Sequence, residues 1–162
     1  MWLPDRRGFF LGCAALGGCG FAPAYGPGGS GDRLRGQILV AAPEDREDFT
    51  FTKRIEDRLG RNQAALFGLE YKITTRSDGL AITATQETQR YNLVGSVQYS
   101  VVDRATAAEL TTNTVQTFTS YSATGTTVAT RAAERDAYAR LTLILADLVI
   151  TQMIASGVDW LP

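Results

Sequence analysis

The stretch Gln89-Arg90-Tyr91-Asn92-Leu93-Val94-Gly95-Ser96-Val97-Gln98-Tyr99-Ser100-Val101-Val102 decides the fold. Tyr91, Leu93, Val97, Tyr99 and Val101 share one parity, while Arg90, Asn92, Ser96, Gln98 and Ser100 share the other. Side chains alternate across a strand, so this pattern predicts a half-buried strand with one apolar and one polar face. Working outward, Asp103 to Ala108 predicts a turn. Glu109 to Tyr121 then returns as a threonine-rich strand, with Val115, Thr117, Thr119 and Tyr121 on one face and Gln116, Phe118 and Ser120 on the other. Upstream, Leu69 to Thr74 alternates in the same way and can run on past Ser77-Asp78-Gly79 into Leu80 to Thr83. The Asp-Gly there is either a hairpin turn or a bulge within one bent strand.

Helical periods flank these strands. Phe51, Ile55 and Leu59 recur every four residues, behind an acidic front of Glu44, Asp45, Glu47 and Asp48 and before Gly60. That predicts a helix over 46–60, its acids at the positive end of the helix dipole. A further short strand is expected at 35–41, around Ile38-Leu39-Val40. Val128 to Ala155 reads as one long helix, capped by Gly157, with Trp160-Leu161 folding back on its end. The predicted order is β-α-β-β-β-α, an α+β fold whose mostly antiparallel four-stranded sheet carries two helices on one face.

The second half of the long helix is apolar almost all round. Leu141, Leu145, Leu148 and Val149 form one stripe, and Leu143, Ile144, Ile150 and Ile154 lie on other sides. A helix on a sheet needs only about a 100° stripe. Either the first helix covers the surplus, or a partner docks there, with Leu141, Ile144 and Leu148 as candidate contacts. Fourteen apolar residues interrupted by Asp147 are too few for a membrane span.

The N-terminus reads as an export signal over 1–18: basic Arg6-Arg7, apolar Phe9 to Leu16, then small Gly17-Gly18 before Cys19. Arg6-Arg7-Gly8-Phe9-Phe10-Leu11 also resembles a twin-arginine signal, and the export route stays open. Cys19 is the expected lipidation site. A tether is expected at 19–32, rich in glycine from Gly26 to Gly31, followed by one domain at 33–162. Its glycines lack the Gly-Lys-Ser/Thr ending of a phosphate loop.

Composition narrows the function classes. With 16 Lys+Arg against 17 Asp+Glu, the formal charge is −1, and nucleic-acid binding is not expected. The two cysteines, Cys13 and Cys19, both lie at the N-terminus, so no disulfide is expected in the domain. Histidine is absent, which removes the commonest general base and metal ligand. Asp78, Glu87, Asp103 and Glu109 fall at predicted turns or strand ends in no catalytic spacing. Lys53 and Lys72 lack a Ser-x-x-Lys neighbour. No enzyme activity, cofactor or metal is expected.

The segments Cys19-Gly20-Phe21-Ala22-Pro23-Ala24-Tyr25-Gly26, Arg90-Tyr91-Asn92-Leu93 and Ala132-Ala133-Glu134-Arg135-Asp136-Ala137, in this element order, resemble the LptE family of lipopolysaccharide-assembly lipoproteins. The resemblance implies a non-enzymatic protein lipid-anchored on the periplasmic side of the outer membrane. It would plug and help assemble an LptD-type β-barrel and assist lipopolysaccharide insertion at the cell surface. Gly20 is compatible with that location, because the aspartate that retains enteric lipoproteins in the inner membrane is missing. Lipid A phosphates call for cationic contacts, and Arg90, Lys72 and Arg76 are the candidates on the strands. The alternative is a lipid-anchored binding or scaffold module for another envelope complex.

Overall fold

The computed structural model describes residues 24–82 and 88–161. The signal at 1–18, Cys19 and Glu87 lie outside the described residues. The element order is α1 (Ser30–Leu34), β1 (Ile38–Val40), α2 (Arg46–Leu59), β2 (Phe67–Ile82), β3 (Thr88–Asp103), β4 (Glu109–Ser122) and α3 (Thr127–Trp160). The strands lie in sequence order in one sheet; β1 is parallel to β2, and the β2-β3-β4 meander is antiparallel. The α+β architecture is the one that the alternation and the helical periods predict.

The parallel pair requires a crossover, and α2 supplies it. Its start is fixed by Asp45, whose Oδ1 accepts from the Asp48 amide at 2.8 Å. At its end Gly60 has φ +84°, a conformation a side chain would strain. Asp45→Ala should cost about 1 kcal/mol of stability, read as a lower urea midpoint with an unchanged slope.

Strand β2 resolves the Asp-Gly ambiguity as a bulge. Its register with β3 runs unbroken from Phe67↔Asp103 to Gly79↔Tyr91, then shifts between Gly79 and Ala81 and again before Ile82. One long strand therefore continues where a hairpin was the other option. At the β3–β4 turn, Asp103 Oδ1 accepts from the amides of Thr106 (2.9 Å) and Ala105 (2.8 Å). Those hydrogen bonds favour the charged form and hold this carboxyl below its ordinary range.

Both large helices cover the same sheet face. Leu69, Leu93, Val97, Tyr99, Val101 and Tyr121 meet Phe51, Ile55 and Leu59 of α2 and Leu141, Leu145, Val149 and Met153 of α3 in one core. Gly95 sets the closest approach: a Cβ there would stand 2.9 Å from both Leu141 Cδ2 and Leu145 Cδ1. Tyr99, 1% exposed, buries a hydroxyl that has no hydrogen-bond partner among the described residues. Asn113, its cross-strand neighbour, instead donates to Thr111 Oγ1 at 3.1 Å. Burial pushes the Tyr99 hydroxyl up to about 12. Tyr99→Phe should raise stability by about 1 kcal/mol, since an unsatisfied buried hydroxyl is a liability; a lowered urea midpoint would show that the hydroxyl has a partner. In the unfolded chain tyrosine ionises near 10, so the folded state binds more protons above that pH. Stability should fall as pH rises from about 10 to 12, and Tyr99→Phe should flatten that fall.

Three expectations are corrected. The long helix extends to Trp160, ending at Leu161, whose amide bonds to Gly157 O at 2.9 Å. Gly157 is therefore not its cap. It is a buried interior residue, where a Cβ would lie 2.9 Å from Leu161 Cδ1 and 3.1 Å from Ser30 Cβ. The tether expected at 19–32 does not run to its end as a free linker. Ser30–Leu34 is helical, Gly31 and Leu34 are buried, and Arg58 donates to the Tyr25 hydroxyl at 3.3 Å. Leu34 needs burial, and the adjacent end of α3 provides it. Finally, length does not argue against a membrane span, because the 34-residue α3 is long and apolar enough to cross one. What places it here is its packing, with Leu141, Leu145, Val149 and Met153 fully buried in the core.

Candidate functional site: the outer sheet face and the free side of the long helix

The face of the sheet turned away from the helices is polar. The register places Lys72, Gln98 and Thr114 in one row across it, Thr74, Ser96 and Gln116 in the next, and Arg76, Val94 and Phe118 beyond. Alternation forces this, since the opposite parity is committed to the core. Phe118, 68% exposed, is the large apolar side chain on this face of β4.

The three candidate cations share this face without converging. Arg90 lies eight residues along β3 from Gln98, the partner of Lys72, which separates the two by roughly 26 Å at ~3.3 Å per residue. Arg76 engages Asp78 through Nε (3.1 Å) and Nη2 (2.9 Å), which offsets its charge. Arg90 donates to Ser120 Oγ at 3.0 Å and meets no carboxylate among the described residues. Lys72 borders a shallow groove with Glu70, Gln98, Ser100, Glu109 and Thr112. Two carboxylates beside one ammonium suit a phosphate poorly.

The candidate partner residues on α3 divide. Leu141 is fully buried against Gly95 and offers nothing to a partner, which corrects that assignment. Ile144 is 42% exposed and Leu143 38%, while Leu148 is half-buried. Helix α2 covers another side of α3. Arg54 Nε and Nη2 donate to the two carboxylate oxygens of Asp147 at 2.9 and 2.8 Å. That hydrogen bonding, with the charge of Asp147, raises the Arg54 pKa further above its ordinary value. A partly exposed pair of this kind orients α2 on α3 and contributes at most about 1 kcal/mol. Sequence reasoning read Asp147 only as a break in an apolar run. Its partner stands 93 residues away, and no local spacing signals it.

The described residues hold no group of three or more His, Cys, Asp or Glu side chains arranged to hold a metal ion. Their surfaces offer a flat polar sheet and an apolar helix flank, which are features of docking. A model of the LptE family, described as lipopolysaccharide-assembly, matches residues 36–153, from the entry to β1 through most of α3. The chain belongs to the LptE family.

Solved structures share the LptE fold. A lipoprotein from Caulobacter crescentus CB15 superposes with a TM-score of 0.64 at 17% identity, covering 80% of this chain and 96% of its own. Rare lipoprotein B from Shewanella oneidensis gives 0.60 at 13%, covering 76% and 96%. Lipoprotein B from Nitrosomonas europaea gives 0.59 at 14%, covering 76% and 85%. Among curated proteins none matches the chain.

Proposed function

We propose that this LptE-family chain is an outer-membrane lipoprotein, held on the periplasmic side through Cys19, that plugs and helps assemble an LptD-type β-barrel. In that position it assists lipopolysaccharide insertion at the cell surface by fitting and holding, without catalysis. The family match over residues 36–153 carries the reading. The polar rows Lys72-Gln98-Thr114 and Thr74-Ser96-Gln116 support it, because the interior of a wide barrel is itself polar. Arg90, which has no acidic neighbour among the described residues, is the cation on this face best able to meet a lipid A phosphate; Arg76 and Lys72 have acidic neighbours.

The full chain, tagged and extracted from the envelope in detergent, should co-purify with an outer-membrane β-barrel, and its depletion should reduce lipopolysaccharide at the surface. Recovery of soluble periplasmic proteins alone, with surface lipopolysaccharide unchanged, would assign it to another envelope complex as a scaffold.

A further inference from the structure

Two stretches of the described chain lie outside the family-matched residues 36–153, and they pack on each other. One is 24–35, ahead of β1; the other is 154–161, the last turns of α3. A Cβ on Gly157 would stand 3.1 Å from Ser30 Cβ, so α1 and the end of α3 are in contact there. Leu34 is fully buried and belongs to the common core. The chain beyond it is fixed as well. The Gly36 amide bonds to Leu59 O at 2.6 Å, and Asn62 Nδ2 donates to Gly36 O at 2.8 Å.

Ahead of α1 the chain doubles back on itself. The Gly29 amide bonds to Gly26 O and the Gly31 amide to Ala24 O, both at 2.9 Å. The Tyr25 ring lies against Gly31, where a Cβ would stand 2.8 Å from its Cδ1, and the Tyr25 hydroxyl accepts from Arg58 Nη2 at 3.3 Å. Residues 24–34 are thus a strap, bound to the ends of α2 and α3.

The strap shortens the tether. Five residue steps separate Cys19 from Ala24, and at no more than about 3.6 Å each they reach about 18 Å. Were the chain free as far as Leu34, the reach would be about 54 Å. The end of the fold tied in this way is well defined. The Arg104 amide bonds to Leu66 O at 3.0 Å, and the Phe67 and Trp160 rings meet edge to face at 5.4 Å. The exits of α2 and α3, the start of β2 and the β3–β4 turn therefore gather there.

Tyr25, Leu66 and Val158 are exposed at this end. Apolar and amphipathic side chains of this kind are taken up by the interfacial layer of a bilayer. Charges of both signs accompany them, Arg33, Arg35 and Arg58 with Asp32 and Asp159, so the fit is to a zwitterionic headgroup layer and not to a strongly anionic one.

We propose that the strap makes this end of the domain a membrane-facing surface, holding Tyr25, Leu66 and Val158 at the phospholipid headgroups of the leaflet that carries the anchor. The inference rests on the lipid anchor at Cys19, which is part of the proposed function. It adds which end of the domain stays at the bilayer, and that the domain does not swing on a long linker.

The test uses the full lipidated chain reconstituted into phosphatidylcholine vesicles that carry a few acceptor-labelled headgroups. The sequence has no cysteine after Cys19, so Val158→Cys or Val128→Cys places a single donor dye on the domain. The two positions are equally open, 73% and 77% exposed, but lie about 45 Å apart along α3. Energy transfer to the headgroups should be several times stronger from 158 than from 128. Gly31→Val drives the Tyr25 ring away, and Tyr25→Ala removes it without adding bulk. Either should leave the far-UV spectrum native while cutting the transfer from 158 by about half, as the lengthened linker lets the domain turn. Equal transfer from both positions in a chain that stays with the vesicles overturns the strap and leaves the anchor standing. So does stronger transfer from 128, or a preference for 158 that neither variant changes. A chain that does not associate with the vesicles overturns the anchor and the strap together.

Discussion

Gly95→Val is expected to destabilise the protein by about 3 kcal/mol, the upper part of the usual range for overpacking a core. The Cβ alone would sit 2.9 Å from Leu141 Cδ2 and Leu145 Cδ1 and 3.1 Å from Leu141 Cγ, and valine adds two methyl groups beyond it. Leu141 and Leu145 have no room to retreat, both being fully buried between α3 and the sheet. The helix must then lift or the strand must bend, and either opens the core around Val97 and Val149. The measurement is the urea midpoint of the full chain. Because the clash is specific, Leu141→Ala should recover part of the loss in the Gly95→Val background although it costs about 3 kcal/mol by itself. Additive losses would mean that Gly95 serves strand conformation and does not set the helix–sheet distance.

Cys19→Ala is expected to release the protein from the bilayer. Each acyl methylene buried in a membrane contributes about 0.8 kcal/mol, and two or more chains make the attachment stable. Without the thiol no thioether forms, and the apolar run from Phe9 to Leu16 is far shorter than the roughly 20 residues that span a bilayer. The variant should move from the detergent phase to the aqueous phase on phase separation, and intact mass should show loss of the acyl groups. If the unaltered protein keeps an unmodified N-terminus beginning at Met1, the anchoring proposal fails.

The parts of the fold that depend on local pattern were legible in the residues. Strand β3 announces its two faces by alternation, and the observed register puts Leu93, Val97, Tyr99 and Val101 in the core as that alternation requires. Helix α2 is bounded by chemistry that can be read directly, an aspartate cap and a glycine exit. Misreadings arose where a distant element supplied the reason. Gly157 looks like a helix cap because glycine near a helix end often is one. A side chain there would meet Leu161, four residues on, and Ser30, far away in sequence. The stretch before Leu34 has the composition of a linker, yet one buried leucine and the end of α3 suffice to order its last residues.

The candidate surfaces were legible to a lesser degree. An apolar run says that a helix has more greasy surface than one face needs, but it does not say which side meets its own sheet. Leu141 went inward because Gly95 opens a space opposite it, whereas Ile144 stayed out. The cations behave similarly. Arg90, Arg76 and Lys72 were rightly placed on strands, but only the structure shows Asp78 holding Arg76 and Glu70 and Glu109 flanking Lys72.

Because α3 follows every strand in the chain, the sheet must wait for its lid. A polypeptide emerging N-terminus first presents Leu93, Val97, Tyr99 and Val101 with half their cover missing until Thr127 to Trp160 has arrived. Were the chain exported unfolded, that interval would coincide with passage through the export machinery. Premature termination anywhere before Thr127 would deliver a sticky meander to the far compartment, prone to clump and to be degraded, and never a half-working product.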